Sequence, residues 1–137
     1  MLLPKKMKFR KWHRLRGNFA GNASCGTKIS FGSYGLKSTS TKEVTSRQIE
    51  AARRAMTHYV KRGGKIWVRL FPHMPVTQKA AEVPMGSGKG GVEKFTTIVK
   101  PGTMLFEMDG IPESNAREAL RLAGTKLPVT SKFVKLD

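Results

Sequence analysis

The side chains that could carry chemistry in this chain fall into four sets, and three of them resolve into something plainer. The spacing Gly86-x-Gly88-x-x-Gly91 matches a dinucleotide fingerprint literally. That fingerprint needs a strand running into it and a helix opening from it, and the local pattern supplies neither. A Walker-type phosphate loop is excluded as well, because Gly88-Lys89 is followed by Gly90 rather than Ser or Thr, and Val83 holds the place of the first glycine. What remains is a flexible loop with exposed amides and one lysine, able to lie against a phosphate backbone. Glu107 and Asp109 share one side of a strand and imitate a paired-carboxylate site, yet Asp109-Gly110 is first of all a turn signal. His13, His58, His73 and the single Cys25 are scattered with no zinc-ligand spacing. These residues point to neither an enzyme nor a metal centre, and no cofactor is expected.

The fourth set is cationic. At about 100° per residue, Arg47, Arg54, His58, Lys61 and Arg62 fall nearly opposite Ile49, Ala52, Met56, Tyr59 and Val60 on one helix. The strand after it, Lys65 to Phe71, sets Ile66, Val68 and Leu70 on one side and Lys65, Trp67, Arg69 and Phe71 on the other. Near the N-terminus, Lys8-Phe9-Arg10-Lys11-Trp12-His13-Arg14-Leu15-Arg16 interleaves cations with aromatics. A basic helix stripe alone is only a solvated face, since like-charge neighbours cost a few tenths of a kcal/mol per pair. Combined with the basic N-terminus, the aromatic strand face and the Gly-Lys loop, it points to a polyanion. RNA is favoured over DNA, because no helix-turn-helix or basic-zipper pattern is present and aromatics between cations suit stacking and shape readout. A membrane surface is the rival for a basic amphipathic helix, but the apolar face of Thr45 to Arg62 is small, alanine-rich and better matched to the next strand.

The charge distribution agrees. The formal net charge is +17 over 137 residues, far beyond what solubility requires. Residues 1–42 hold ten Lys or Arg and no acid, residues 43–100 hold eleven against four, and residues 101–137 hold five against five. This gradient predicts a partner-facing front and a neutral back that builds the core.

These groups need a frame. Residues 1–26 have no sustained period, and Gly17, Gly21 and Gly26 with Asn18 and Asn22 keep them loose, so a basic extension that stays mobile until a partner fixes it is expected. Residues 27–137 are expected to form one α+β domain. Thr27 to Tyr34 is strand-like and Leu36 to Val44 a polar connection. Thr45 and Gln48 form a capping box, Glu50 supports Arg54, and Gly63-Gly64 ends the helix. Residues 72–92 read as one long functional loop. Glu93 to Lys100 is a strand, Lys100-Pro101-Gly102-Thr103 a type II turn, and Met104 to Met108 is expected to pair back. From Pro112 a second helix buries Ala116, Ala119, Leu120, Ala123 and Leu127, Pro128 stops it, and Val129 to Leu136 is the last strand. Two helices on a mostly antiparallel or mixed sheet give a sandwich. The lone cysteine allows no intramolecular disulfide and suggests a reducing compartment. No apolar run reaches transmembrane length, Leu2-Leu3 is too short for a signal-peptide core, and the acid-free N-terminus resembles a transit peptide only superficially.

Six motifs go further: Leu3-Pro4-Lys5-Lys6-x-Lys8-Phe9-Arg10-Lys11, Phe31-Gly32-x-Tyr34-Gly35-Leu36, Thr45 to Arg53, Gly64 to Pro72, Met85-Gly86-Ser87-Gly88-Lys89-Gly90 and Phe106-Glu107-Met108. Over nearly its whole length the chain resembles the bacterial and organellar large-subunit ribosomal protein L-sixteen family. The resemblance implies a hammerhead-type α+β domain that binds large-subunit rRNA below the central protuberance. It implies a structural, non-catalytic role in translation and late subunit assembly, in the cytoplasm or in an organelle. The rRNA-binding residues it implies are Lys5, Lys6, Lys8, Arg10, Lys11, Arg14, Arg16, Arg47, Arg54, Lys61, Arg62, Lys65 and Arg69. Lys5, Lys6 and Met85 to Gly90 would face the aminoacyl-tRNA site and its tRNA. Neighbouring ribosomal proteins are further expected partners, with no membrane and no obligate homo-oligomer. A non-ribosomal RNA-binding or chaperone module is the alternative. The chain departs from the family at Pro84, where arginine is common, which removes a cation from the loop base.

Overall fold

The computed structural model describes residues 1–14 and 19–137. Seven strands and two helices follow in the order β1 (Tyr34–Ser38), β2 (Lys42–Thr45), α1 (Ser46–Val60), β3 (Lys65–Val68), β4 (Met74–Gln78), β5 (Gly91–Val99), β6 (Met104–Asp109), α2 (Glu113–Gly124) and β7 (Ser131–Lys135). They make two antiparallel sheets, one ordered β3-β6-β1-β7 and the other β2-β5-β4. The expected α+β class holds, and the core lies where both helices meet the strands. Ile49, Ala52 and Met56 of α1 join Ala119, Leu120 and Ala123 of α2 over Leu36, Val99, Phe106 and Met108.

The two sheets grow from one bent ribbon. β1 pairs with β6 in the first sheet, and β2 pairs with β5 in the second. Both chains cross between sheets at the same level, where Ser38 N–H donates to Thr103 O (2.9 Å) and Gly102 N–H to Ser38 O (2.8 Å). The Lys100–Thr103 turn forms as expected, with Thr103 N–H donating to Lys100 O at 3.1 Å. It does not close a hairpin, however: β5 and β6 lie in different sheets. A tight turn fixes a local reversal, whereas which strand each arm pairs with depends on partners far away in the chain.

Other boundaries move for similar reasons. Leu36 to Val44, expected as a polar connection, supplies β1 and β2, and Leu36 and Val44 are buried. The segment before Tyr34, expected as a strand, is not one: Ser30, Phe31 and Gly32 donate their N–H groups to the Glu107 side chain, and Ser33 N–H donates to Met108 O at 3.1 Å. Residues 72–92, expected as one loop, contain β4, whose Pro75 is tolerated because β4 is an edge strand. The strand expected through Phe71 ends at Val68.

Helix α1 starts as expected: Thr45 Oγ1 accepts from Gln48 N–H (3.2 Å) and Gln48 Oε1 accepts from Thr45 N–H (2.9 Å). It stops at Val60, before Gly63-Gly64, and the left-handed cap positions are taken by Lys61 (φ 51) and Arg62 (φ 66). Gly64 is needed for a different reason. At φ +67, a Cβ there would sit 2.5 Å from Asp109 O, because Gly64 leads into the pairing of Lys65 with Asp109 at the end of β6. Tyr59, expected on the buried face, is 40% exposed, whereas Met56 is fully buried and Val60 packs partly buried against the core.

Candidate nucleic-acid interface

Residues 11–14 touch the domain. Trp12 packs against His73, which directly precedes β4, with ring centroids 5.7 Å apart and planes inclined at 59°. Lys11 Nζ donates to Lys89 O at 3.2 Å, and Lys89 Nζ donates in return to Trp12 O. Arg14 reaches Glu43 at 3.3 Å. These contacts join the tail to the Gly-rich loop, two segments 78 residues apart.

The loop is built for exposure. Gly86 (φ 105), Ser87 (φ 61) and Gly88 (φ 102) are all left-handed, and Met85 at the tip is 95% exposed. Three positive-φ residues in a row curl the backbone away from any strand pairing. At the base, Lys79 Nζ donates to Pro84 O (3.4 Å) and to Gly86 O. A cation therefore sits at the loop base after all, from the end of the β4 segment rather than from position 84.

The expected RNA-binding cations divide by what already holds them. Lys5, Lys6, Lys8, Arg10, Arg47, Lys61, Arg62 and Lys65 are exposed. Arg54 is exposed but paired to Glu50 at 3.2 Å, and Arg14 and Lys11 are engaged as described. Arg16 lies outside the described residues. Arg69 is different. Its guanidinium is 2.7 Å from the Glu107 carboxylate, donates to Lys28 O (3.1 Å) and lies over the Phe31 ring. Glu107 is fully buried, and its Oε1 accepts from Ser30 (2.7 Å), Phe31 (3.1 Å) and Gly32 (3.5 Å). Burial pushes this carboxyl up, but Arg69 and the three backbone donors together hold it below the usual carboxylate range. Asp109 accepts from Ser33 Oγ and from Gly110 N–H. The two carboxylates of β6 are anchors for the chain that crosses them.

Several contributors are not singled out from the sequence. Arg53, three residues after Glu50 on the helix and so open to the same short-range pairing rule, is tied to Glu50 at 2.5 Å, and its hydrogen bond leads the causes that hold the Glu50 carboxyl down at about 2. His73 and Phe71 meet the tail only through the fold. Glu107, legible in the sequence as half of an apparent carboxylate pair, has a second signal there: it sits among Met104, Leu105, Phe106 and Met108, where a carboxylate is buried only with partners. Among the described residues, no three His, Cys, Asp or Glu side chains come together as a metal site, and no helix is long and apolar enough to cross a membrane.

Comparison with known proteins finds the same segments in a family. The family described as ribosomal protein L16p/L10e matches residues 4–134. The large ribosomal subunit protein uL16 of Staphylococcus epidermidis is 58% identical over 137 residues, covering 100% of this chain and 94% of that protein. The protein of the same name from Macrococcus caseolyticus is 56% identical over 137 residues, covering 100% and 94%. That from Trichodesmium erythraeum is 57% identical over 134 residues, covering 98% and 96%. With both helices and the glycine loop inside the matched span, the chain belongs to the ribosomal protein L16p/L10e family.

Proposed function

We propose that this protein is a structural constituent of the large ribosomal subunit, held on large-subunit rRNA below the central protuberance, with its tail and Gly-rich loop directed at the aminoacyl-tRNA site. It does no chemistry of its own; the family is a structural, non-enzymatic component of the ribosome. In bacteria its place is the cytoplasm. The observation that carries the reading is the joining of Lys11 and Lys89, which makes one basic projection from the tail and the loop. Exposed Lys5, Lys6, Arg47, Lys61, Arg62 and Lys65 supply charge for phosphate contacts, while Arg69, neutralised by Glu107, contributes little. Contact with tRNA through the same projection, and a part in late subunit assembly, belong to this proposal.

Sucrose-gradient fractionation of a lysate tests the assembly: the protein should run with large subunits, and its absence from them at moderate salt would sink the reading. Binding of the isolated protein to large-subunit rRNA should also fall steeply with salt. Neutralising about 6–10 phosphates costs about 10³- to 10⁵-fold in affinity between about 50 and 200 mM. A flat salt response would remove the charge argument.

A further inference from the structure

Folding of the tail onto the strand β4 side creates an aromatic cleft beside the cations that the RNA-binding reading uses. It is a cavity of about 700 Å³ floored by Met74 and Ile98 and walled by Phe9, Trp12 and His73, with Lys11 at the rim. A second cleft of about 450 Å³ adjoins it across Phe9, Trp12 and His73 and is edged by Lys5, Lys6 and Lys8. Both volumes fall in the range of about 300–1,000 Å³ typical of ligand-holding clefts. Among the described residues, no Asp or Glu lines either one.

We propose that this cleft holds a single unpaired nucleotide of RNA, its base stacked on Trp12 and its phosphates on the lysines of the adjoining rim. The inference rests on the RNA-binding reading above and names a specific subsite for it. Three features converge on this occupant. The walls are aromatic and the floor apolar, which suits the flat face of a base. The charged side chains that line the two clefts, Lys5, Lys6, Lys8 and Lys11, are all cationic, which suits a flanking phosphate and not a neutral apolar ligand. The third feature is the orientation of His73. Its Nδ1 lies 3.2 Å from Phe71 O, and a carbonyl can only accept, so Nδ1 carries the proton. In the neutral ring this leaves Nε2 as an acceptor, able to take a hydrogen bond from a base amino or imino group. Trp12 and His73 are too close at 5.7 Å for a base to slide between them, so stacking uses the cleft face of Trp12. The cleft is kept open by the clamps that hold the tail down, Lys11 with Lys89 on one side and Arg14 with Glu43 on the other.

The test uses the full-length protein and two probes of equal charge, a ten-nucleotide oligoadenylate and the matching abasic ribose-phosphate strand. In a Trp67→Phe background, where Trp12 is the remaining tryptophan, the oligoadenylate should quench fluorescence and the abasic strand should not. The oligoadenylate should also bind more tightly. Trp12→Ala should remove that preference, a loss of about 5- to 150-fold for one base stack, and Trp12→Phe should keep part of it. Equal binding of both probes by the parent protein, or unchanged preference in Trp12→Ala, overturns the stacking site while leaving general RNA binding intact. Failure of both probes to bind at low salt overturns both readings. Trp12→Phe keeps the test decisive if the alanine variant loses the tail's docking altogether.

Discussion

Replacing Glu107 by glutamine should be among the most damaging conservative changes available to this protein. The carboxylate is fully buried and accepts four bonds: three from the backbone of residues 30–32 on Oε1, and one from Arg69 at 2.7 Å on Oε2. Glutamine is nearly isosteric, yet it turns one of these acceptor positions into an NH₂ that must face a donor. Either the backbone cluster or Arg69 loses its partner, and Arg69, with its side chain only 17% exposed, loses its countercharge in both cases. Breaking one partner of a buried ion pair costs about 3–5 kcal/mol. The residual exposure of Arg69 and its bond to Lys28 O place the expected loss near the lower figure. With a urea dependence of about 1–3 kcal/mol/M, the unfolding midpoint should drop by about 1–3 M. The double variant Glu107→Gln/Arg69→Met should lose less than the two single variants added together, because removing both partners leaves no orphaned charge. The pH dependence has a definite sign. The carboxyl is lowered on folding, so its contribution is complete above the ordinary carboxylate value and disappears as pH falls through the folded value. The gap between the two proteins should therefore close in acid. An unfolding free energy of Glu107→Gln within about 1 kcal/mol of the parent at neutral pH would refute the account of Glu107 as the anchor of residues 30–32.

Thr45→Ala removes the side-chain acceptor for Gln48 N–H and should cost about 1 kcal/mol in chemical denaturation, with Thr45→Ser recovering most of it. Gly64→Ala puts a Cβ 2.5 Å from Asp109 O at a positive φ, so a loss of about 1–3 kcal/mol is expected; a neutral effect would mean that β3 enters the sheet differently. Glu50, held at about 2 against an ordinary 4.5, should make the parent lose stability relative to Glu50→Gln as pH falls from about 4.5 toward 2. Because its guanidinium partners are 41% and 76% exposed, the difference should stay below about 1 kcal/mol, as read from unfolding midpoints across that window.

Much of the local chemistry was legible in the sequence, although the stop of α1 at Lys61 and Arg62 was not. The capping box at Thr45 and Gln48, the Glu50–Arg54 pair, the turn at Lys100–Thr103 and the buried face of α2 each depend on residues a few positions apart, and short-range geometry fixes them. The α+β class followed from the two periodicities, and the family from long contiguous motifs. Pairing was not legible. β5 and β6 look like a hairpin because the turn between them is a good one, but each found its partner elsewhere, on β2 and β1. Leu36 and Val44 look like parts of a polar connection because only the folded ribbon reveals that their side chains face the helices. The cation list had the same limit. Sequence shows that Arg69 and Arg47 are both basic, and only the fold places Glu107 against one of them and water against the other. The meeting of Lys11 with Lys89 and of Trp12 with His73 was equally hidden, since side chains more than 60 residues apart in the chain are brought together by the packing of everything between them.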